Sequence, residues 1–229
     1  FGVFFLVLGV MWQILGKERN TAKTLVTDPV STSVSEFSLV KKAFSFREIW
    51  IAGIGFTGAM MAFSSFNSFF PTMALNFYDV SLSGSGLISA MYVLPGGFSG
   101  VIVAYYLKGV RGRAPILALA GIAMAGTYCA MTVTDSYPLL IIVAILNGIG
   151  WGFFPILYMV PFHLKGVQPR EIAIAVAVVM SMAHLGSSVG PALTGYMQES
   201  LGSLQVSLRM ISLAPLTLVI AAVLLGKKQ

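Results

Sequence analysis

The sequence predicts an all-α polytopic membrane protein: a six-helix transmembrane bundle plus the end of a preceding transmembrane helix. Three observations carry that prediction. Of the 229 residues, 57% are hydrophobic and only 10% are charged, and the charges gather in short clusters between long apolar stretches. A soluble domain carries about 25% charged residues, so this chain has too few to cover a water-facing surface. A bilayer core about 30 Å thick needs roughly 20 apolar residues per helical crossing, and the stretches between clusters have that length.

The first apolar run, 1–15, is short for a crossing and has neither the basic start nor the small-residue cleavage site of a signal peptide. It reads as the end of a transmembrane helix over 1–16 that begins ahead of Phe1, so the chain is expected to be a fragment. The polar stretch 17–48, with Asp28-Pro29 and Ser31-Thr32-Ser33 in its middle, reads as a cytoplasmic linker. Within it, a short amphipathic helix over 37–46 is expected to lie along the membrane surface. Six segments then have crossing length: 49–77, 84–107, 114–134, 137–162, 172–198 and 204–226. Four contain no charged residue or histidine; the exceptions are His184 in the fifth and Arg209 in the sixth. Backbone groups in lipid must be satisfied within the segment, which requires helices, and the alternation of a membrane β-barrel is absent.

Basic residues orient the spans. The linker carries Lys17, Arg19, Lys23, Lys41, Lys42 and Arg47; the next connection on that side has Lys108, Arg111 and Arg113; the one after has Lys165 and Arg170; and the tail has Lys227 and Lys228. The intervening connections show Asp79, Asp135 and Glu199, with no lysine or arginine. Lysine and arginine are retained on the cytoplasmic side, so the linker and C-terminus are expected there. The net charge of +6 follows from these connections and does not point to nucleic acid. A single cysteine, Cys129, rules out a disulfide within the chain, and no metal site or cofactor is indicated.

Several local patterns fit one family. Lys108-Gly109-Val110-Arg111-Gly112-Arg113 forms a tight basic turn between the second and third spans, and Gly195, Glu199 and Gly202 give a glycine–acid–glycine spacing at the related outer connection. Gln168-Pro169-Arg170-Glu171 opens the fifth span, with proline suited to its first turn; Gly190-Pro191 and Gly195-Tyr196 follow along it. With the order of partial span, basic linker, six spans and tail, the chain resembles the C-terminal half of a major facilitator superfamily transporter. Its cytoplasmic signature departs from the family's pattern, with Gly109 in place of the acid and Tyr105 in place of the upstream glycine.

The resemblance implies two inverted three-helix repeats over 49–229, and a missing N-terminal six-helix half, in the same or a separate chain, as partner. It implies a secondary transporter working by alternating access in the plasma (inner) membrane, and no enzyme. The first, second, fourth and fifth spans would then line a central cavity, with the third and sixth peripheral.

Polar groups in membrane helices are costly and face protein or water. On the first span Phe56, Met60, Phe63, Asn67 and Phe70 recur at helical spacing; on the fourth Asn147, Trp151, Phe154 and Tyr158 do; on the fifth Ser181, His184 and Ser188 do; and Tyr92 is the outstanding polar aromatic of the second. The substrate-contact candidates are therefore Phe63, Asn67, Phe70, Tyr92, Asn147, Trp151, Tyr158, His184 and Ser188, with helix–helix hydrogen bonding the competing role. His184 alone near mid-membrane can change charge near neutral pH, which makes it the candidate for proton coupling; a neutral histidine bonded to a neighbouring helix is the alternative. Arg209 is expected to snorkel to the outer interface. The aromatic, amide and hydroxyl inventory suits a small polar or weakly charged organic solute, and surrounding lipid is the other partner.

Small residues four apart, Gly96/Gly100, Gly148/Gly152 and Gly186/Gly190, allow close helix packing. Within the family's layout, those of the second and fifth spans would instead form the surfaces that slide against the missing half. Pro71, Pro95, Pro155 and Pro161 are expected to interrupt their helices. Three other functions compete. A channel would show charged rings or a filter sequence, and neither is present. A non-transporting half-protein is the second. An intramembrane serine hydrolase is the third, since Gly186-Ser187-Ser188-Val189-Gly190 matches G-x-S-x-G with His184 one turn away, but that pattern needs a strand-to-helix turn.

Overall fold

The computed structural model describes residues 36–106, 113–164 and 166–226, and every regular element among them is helical. The run 1–16, the linker up to residue 35, Lys108, Arg111, Gly112, Lys165 and the tail after 226 lie outside the described residues; Arg113 is described only as the first residue of its helix. Six helices or helix chains are long and apolar enough to cross a bilayer: Arg47–Tyr78, Leu82–Tyr106, Ala114–Met131, Tyr137–His163, Pro169–Leu201 and Leu204–Gly226.

The linker's short helix is α1 (Glu36–Ser45). It leads into α2 (Arg47–Tyr78), which Asp79 closes in the left-handed conformation at φ 51°. Next come α3 (Leu82–Tyr106) and α4 (Arg113–Met131). The fourth span, expected over 137–162 with interruptions at Pro155 and Pro161, is indeed broken. It runs as α5 (Tyr137–Gly150), a 3-10 turn (Trp151–Phe153), α6 (Phe154–Tyr158) and a second 3-10 turn (Val160–His163). Pro155 and Pro161 each remove a backbone donor and clash with the preceding turn, and the tighter 3-10 turns absorb the conflict. By contrast, α2 and α3 continue through Pro71 and Pro95.

The fifth span, α7 (Pro169–Leu201), starts in a capping box. The Glu171 carboxylate accepts the Gln168 backbone N–H at 2.9 Å, so it satisfies a donor that the helix leaves free. At the other end Gly202, at φ 66°, donates its N–H to the Gln198 carbonyl at 2.9 Å. Glycine fits there because a side chain disfavours the left-handed region. The last span is α8 (Leu204–Ile211), a 3-10 turn at Ala214–Leu216 that contains Pro215, and α9 (Thr217–Gly226).

Glycine seams hold the bundle. Between α2 and α7, a Cβ on Gly186 or Gly190 would run into the Thr57 or Met61 carbonyl. The Thr57 hydroxyl reaches across the same seam to the Met182 carbonyl at 3.0 Å. Between α3 and α5, Gly148 lies against the Tyr92 carbonyl and Gly96 against Trp151. Between α2 and α9, Gly58 meets Thr217, whose hydroxyl donates to the Gly55 carbonyl at 3.2 Å. Interhelical hydrogen bonds in membranes average only about 0.6 kcal/mol, so close backbone contact is the larger contribution. These glycines pack helices of this chain against each other. The expectation that the fifth-span glycines form sliding surfaces toward another half is corrected, since α2 covers Gly186 and Gly190; Gly96 and Gly100 of the second span are half-buried.

Among the described residues, connections meet in two groups. Lys42 of α1 pairs with Glu171 at 2.9 Å, bringing the linker and the start of α7 together. In the other group Gln205 Nε2 donates to the Thr132 carbonyl at 2.6 Å and Arg209 Nε to the Thr132 hydroxyl at 3.3 Å. Those contacts join the end of α4 to the start of α8.

Candidate functional site

Two cavities flank α3, and their chemistry separates them. The larger, about 860 Å³, lies toward α4 and α5 and is lined by residues such as Leu94, Phe98, Ile102, Leu119 and Ile149. Its hydroxyls, Ser99 and Thr127, are already bonded to the carbonyls of Gly96 and Ala123 on their own helices. It offers no uncommitted polar group, and suits hydrocarbon.

The smaller cavity, about 520 Å³, lies where α2, α3 and the broken fourth span meet, with Met60, Phe63, Tyr92, Trp151 and Phe154 in its walls. Phe63 holds the aromatic wall together. Its ring stands edge-on to Tyr92 at 6.0 Å and to Trp151 at 5.1 Å. The Tyr92 hydroxyl donates to Asn67 Oδ1 at 3.1 Å, leaving the exposed Asn67 amide its NH2 group for a further acceptor. On the α3 side Gly96, Gly97 and Gly100 form the wall, and Gly97 has open space where a side chain would be. The volume of the cavity is thus set by missing side chains on α3 and by ring edges on α2 and the fourth span.

Behind the wall, the Trp151 indole nitrogen is buried close to the Tyr128 hydroxyl without reaching good hydrogen-bond geometry, and neither has another hydrogen-bond partner among the described residues. Tyr128 is wholly buried, with its ring 4.4 Å from that of Phe66. Sequence reasoning passed over Tyr128, because the family layout made the third span peripheral. A lone polar aromatic in the last turn of that span was the available signal.

Of the nine candidate contacts, the structure brings Phe63, Asn67, Tyr92 and Trp151 together. Phe70 is buried in the core beside Phe66, with ring centroids 6.3 Å apart. A long helix meets different neighbours along its length, so a face that is regular in sequence does not keep one environment; Phe56 likewise packs on Phe153 and Phe154. Asn147 turns toward α4, donating to Thr127 Oγ1 at 2.8 Å, and its own Oδ1 has no partner. Its amide is taken up by α4, and it is not part of the cavity wall that Trp151 lines. Tyr158 is exposed and stacks on Phe154 at 6.1 Å, outside the cavity wall.

Ser181, His184 and Ser188 lie along an exposed face of α7. The Ser188 hydroxyl donates to the His184 carbonyl at 3.1 Å, not to its imidazole. The G-x-S-x-G run sits inside continuous α7, so the strained turn that would activate a hydrolase serine is not formed there. In the outer signature, Gly202 caps α7, Glu199 is exposed and Gly195 faces Phe69.

Comparison with known proteins places the sequence in a family. The family model of the Major Facilitator Superfamily covers residues 1–191, and the chain belongs to that family. It is an integral membrane protein. Among its relatives is the "Uncharacterized transporter YybO" of Bacillus subtilis (strain 168), 25% identical over 83% of this chain and 45% of the relative. The chain therefore spans about half the length of the curated relative it matches.

Proposed function

We propose that residues 49–229 are the C-terminal six-helix half of a secondary active transporter, with 17–48 as the linker and 1–16 as the end of a helix of the N-terminal half. The transporter moves a small polar or weakly charged organic solute by alternating access. It sits in the plasma (inner) membrane, with the linker and C-terminus cytoplasmic. The observation that carries this reading is the cavity of about 520 Å³ whose aromatic walls come from three different spans and whose rim holds the Tyr92–Asn67 pair. Walls drawn from several helices change shape when those helices tilt, as a rocking carrier requires. The name of the relative as a transporter supports the same class.

The solute's planar or apolar part would lie against Phe63, Tyr92 and Trp151, and an acceptor atom on it would take the Asn67 amide N–H. His184, on the exposed face of α7, is the group available for proton coupling. Reconstitution into proteoliposomes tests the class. A panel of organic solutes should include one whose uptake saturates and is accelerated by the same solute inside the vesicles. Uptake that rises linearly with concentration and shows no counterflow would indicate a pore instead.

A further inference from the structure

At the junction of α1 and α2, the chain presents two chemically distinct faces. One faces the bundle: Ala43 is buried, and Lys42 Nζ is held by both oxygens of Glu171, at 2.9 and 3.0 Å. The other faces outward. Phe44 and Trp50 are 43% and 41% exposed, and Ile54 is exposed one turn further along α2. The Phe44 and Trp50 rings meet edge-on at 5.5 Å, and the Trp50 indole N–H donates to the Phe44 carbonyl at 2.8 Å. That bond fixes the elbow and satisfies the indole donor, so the ring can enter an apolar boundary without an unpaired polar atom. Lys41 and Arg47, three residues before and after Phe44, are both exposed.

We infer that this elbow is a binding surface for the anionic phospholipid headgroups of the cytoplasmic leaflet. The inference rests on the proposed topology, which puts the start of α2 at that face. Trp50 stands in the first turns of a crossing helix, at the depth where aromatic side chains collect in membranes. The exposed Lys41 and Arg47 of the same junction carry the charge that complements a phosphodiester, and basic side chains at such a surface gain about 1 kcal/mol each from anionic lipid. A water-facing linker would have no use for an exposed Phe–Trp pair next to two cations. Because Lys42 pins α1 to the start of α7, a headgroup bound at the elbow also bears on the two helices that share the longest seam.

The test is a titration of phosphatidylglycerol, against phosphatidylcholine, into the full chain in neutral detergent. Trp50 emission is read in a W12F/W151F background. Phosphatidylglycerol should shift the emission to the blue, with phosphatidylcholine inert. K41Q and R47Q should each weaken binding roughly fivefold. If that background fails to fold, phosphatidylglycerol copurifying with the native-tryptophan protein and with K41Q/R47Q is quantified by mass spectrometry, and the variant should retain less. Equal responses to both lipids, wild-type binding by K41Q/R47Q, or the same shift from inorganic phosphate alone would overturn the inference. The titration in detergent does not depend on sidedness. A thiol at position 41 labelled only from outside would count against the topology without altering the lipid result.

Discussion

Tyr92 and Asn67 join α3 to α2 through a hydrogen bond of 3.1 Å at the rim of the aromatic cavity, where the tyrosine ring is also packed edge-on against Phe63. The bond aims the Asn67 amide, so its loss should affect solute binding more than folding. Tyr92→Phe should raise the half-saturating concentration of the transported solute about fivefold, the equivalent of a net hydrogen bond of roughly 1 kcal/mol. Asn67→Ala should raise it at least as much. Counterflow kinetics in proteoliposomes measure both; unchanged half-saturation in both variants would remove the pair from the site.

The Tyr128 hydroxyl presents the opposite case, because it is buried without a hydrogen-bond partner of good geometry. An unsatisfied buried polar group costs about 1–3 kcal/mol. Tyr128→Phe should therefore leave the melting temperature in detergent unchanged or raise it, and a clear fall would show that the hydroxyl is paired.

The glycines of the α2–α7 seam differ from those that face open space. A Cβ on Gly186 meets the Thr57 backbone, which cannot rotate away as a side chain can, whereas Gly126 has nothing within contact distance. Gly186→Ala should destabilise the bundle by about 1–3 kcal/mol. Gly126→Ala should be close to neutral, since helix propensity alone favours alanine. Thermal unfolding of the two variants side by side checks the contrast.

Much of this architecture was legible in the sequence. Hydropathy and charge clustering are long-range signals that need no knowledge of partners, and they gave six crossings whose ends match the six observed within a few residues. The candidate site was legible only in part. Phe63, Asn67, Tyr92 and Trp151 could be picked out as aromatic and amide groups on apolar helices, but periodicity cannot say which neighbour a face will meet. Phe70 went to the core and Asn147 to α4 for that reason. An interruption of the fourth span was legible from Pro155, but not its place, since the 3-10 turn begins four residues earlier, at Trp151. Gly97 and Gly100 contribute to the cavity through side chains they lack, which no search for polar groups would find.

Glu171 has two roles that substitutions can separate. Its carboxylate closes the capping box of α7 and also holds Lys42 of α1. Glu171→Gln keeps an acceptor for the Gln168 N–H and removes the charge, so hydrogen exchange should accelerate in α1 and stay slow in the first turn of α7. Glu171→Ala should accelerate both, and Lys42→Met should reproduce the Gln variant. If α1 exchanges as slowly in all three variants as in the unaltered protein, the ion pair does not hold it.

The proposal as a whole depends on six crossings that place the basic connections on one side. Substituted-cysteine labelling in a Cys129→Ser background measures this directly, with thiols placed at Asp79, Asp135 and Glu199 and, for the other side, at Lys41 and Gly166. In intact cells a membrane-impermeant maleimide is expected to label the first three sites and reach the last two only after the membrane is opened. Labelling of Asp79, Asp135 and Glu199 only in opened cells, or of the two sets alike in intact ones, would contradict the topology and the half-transporter reading with it.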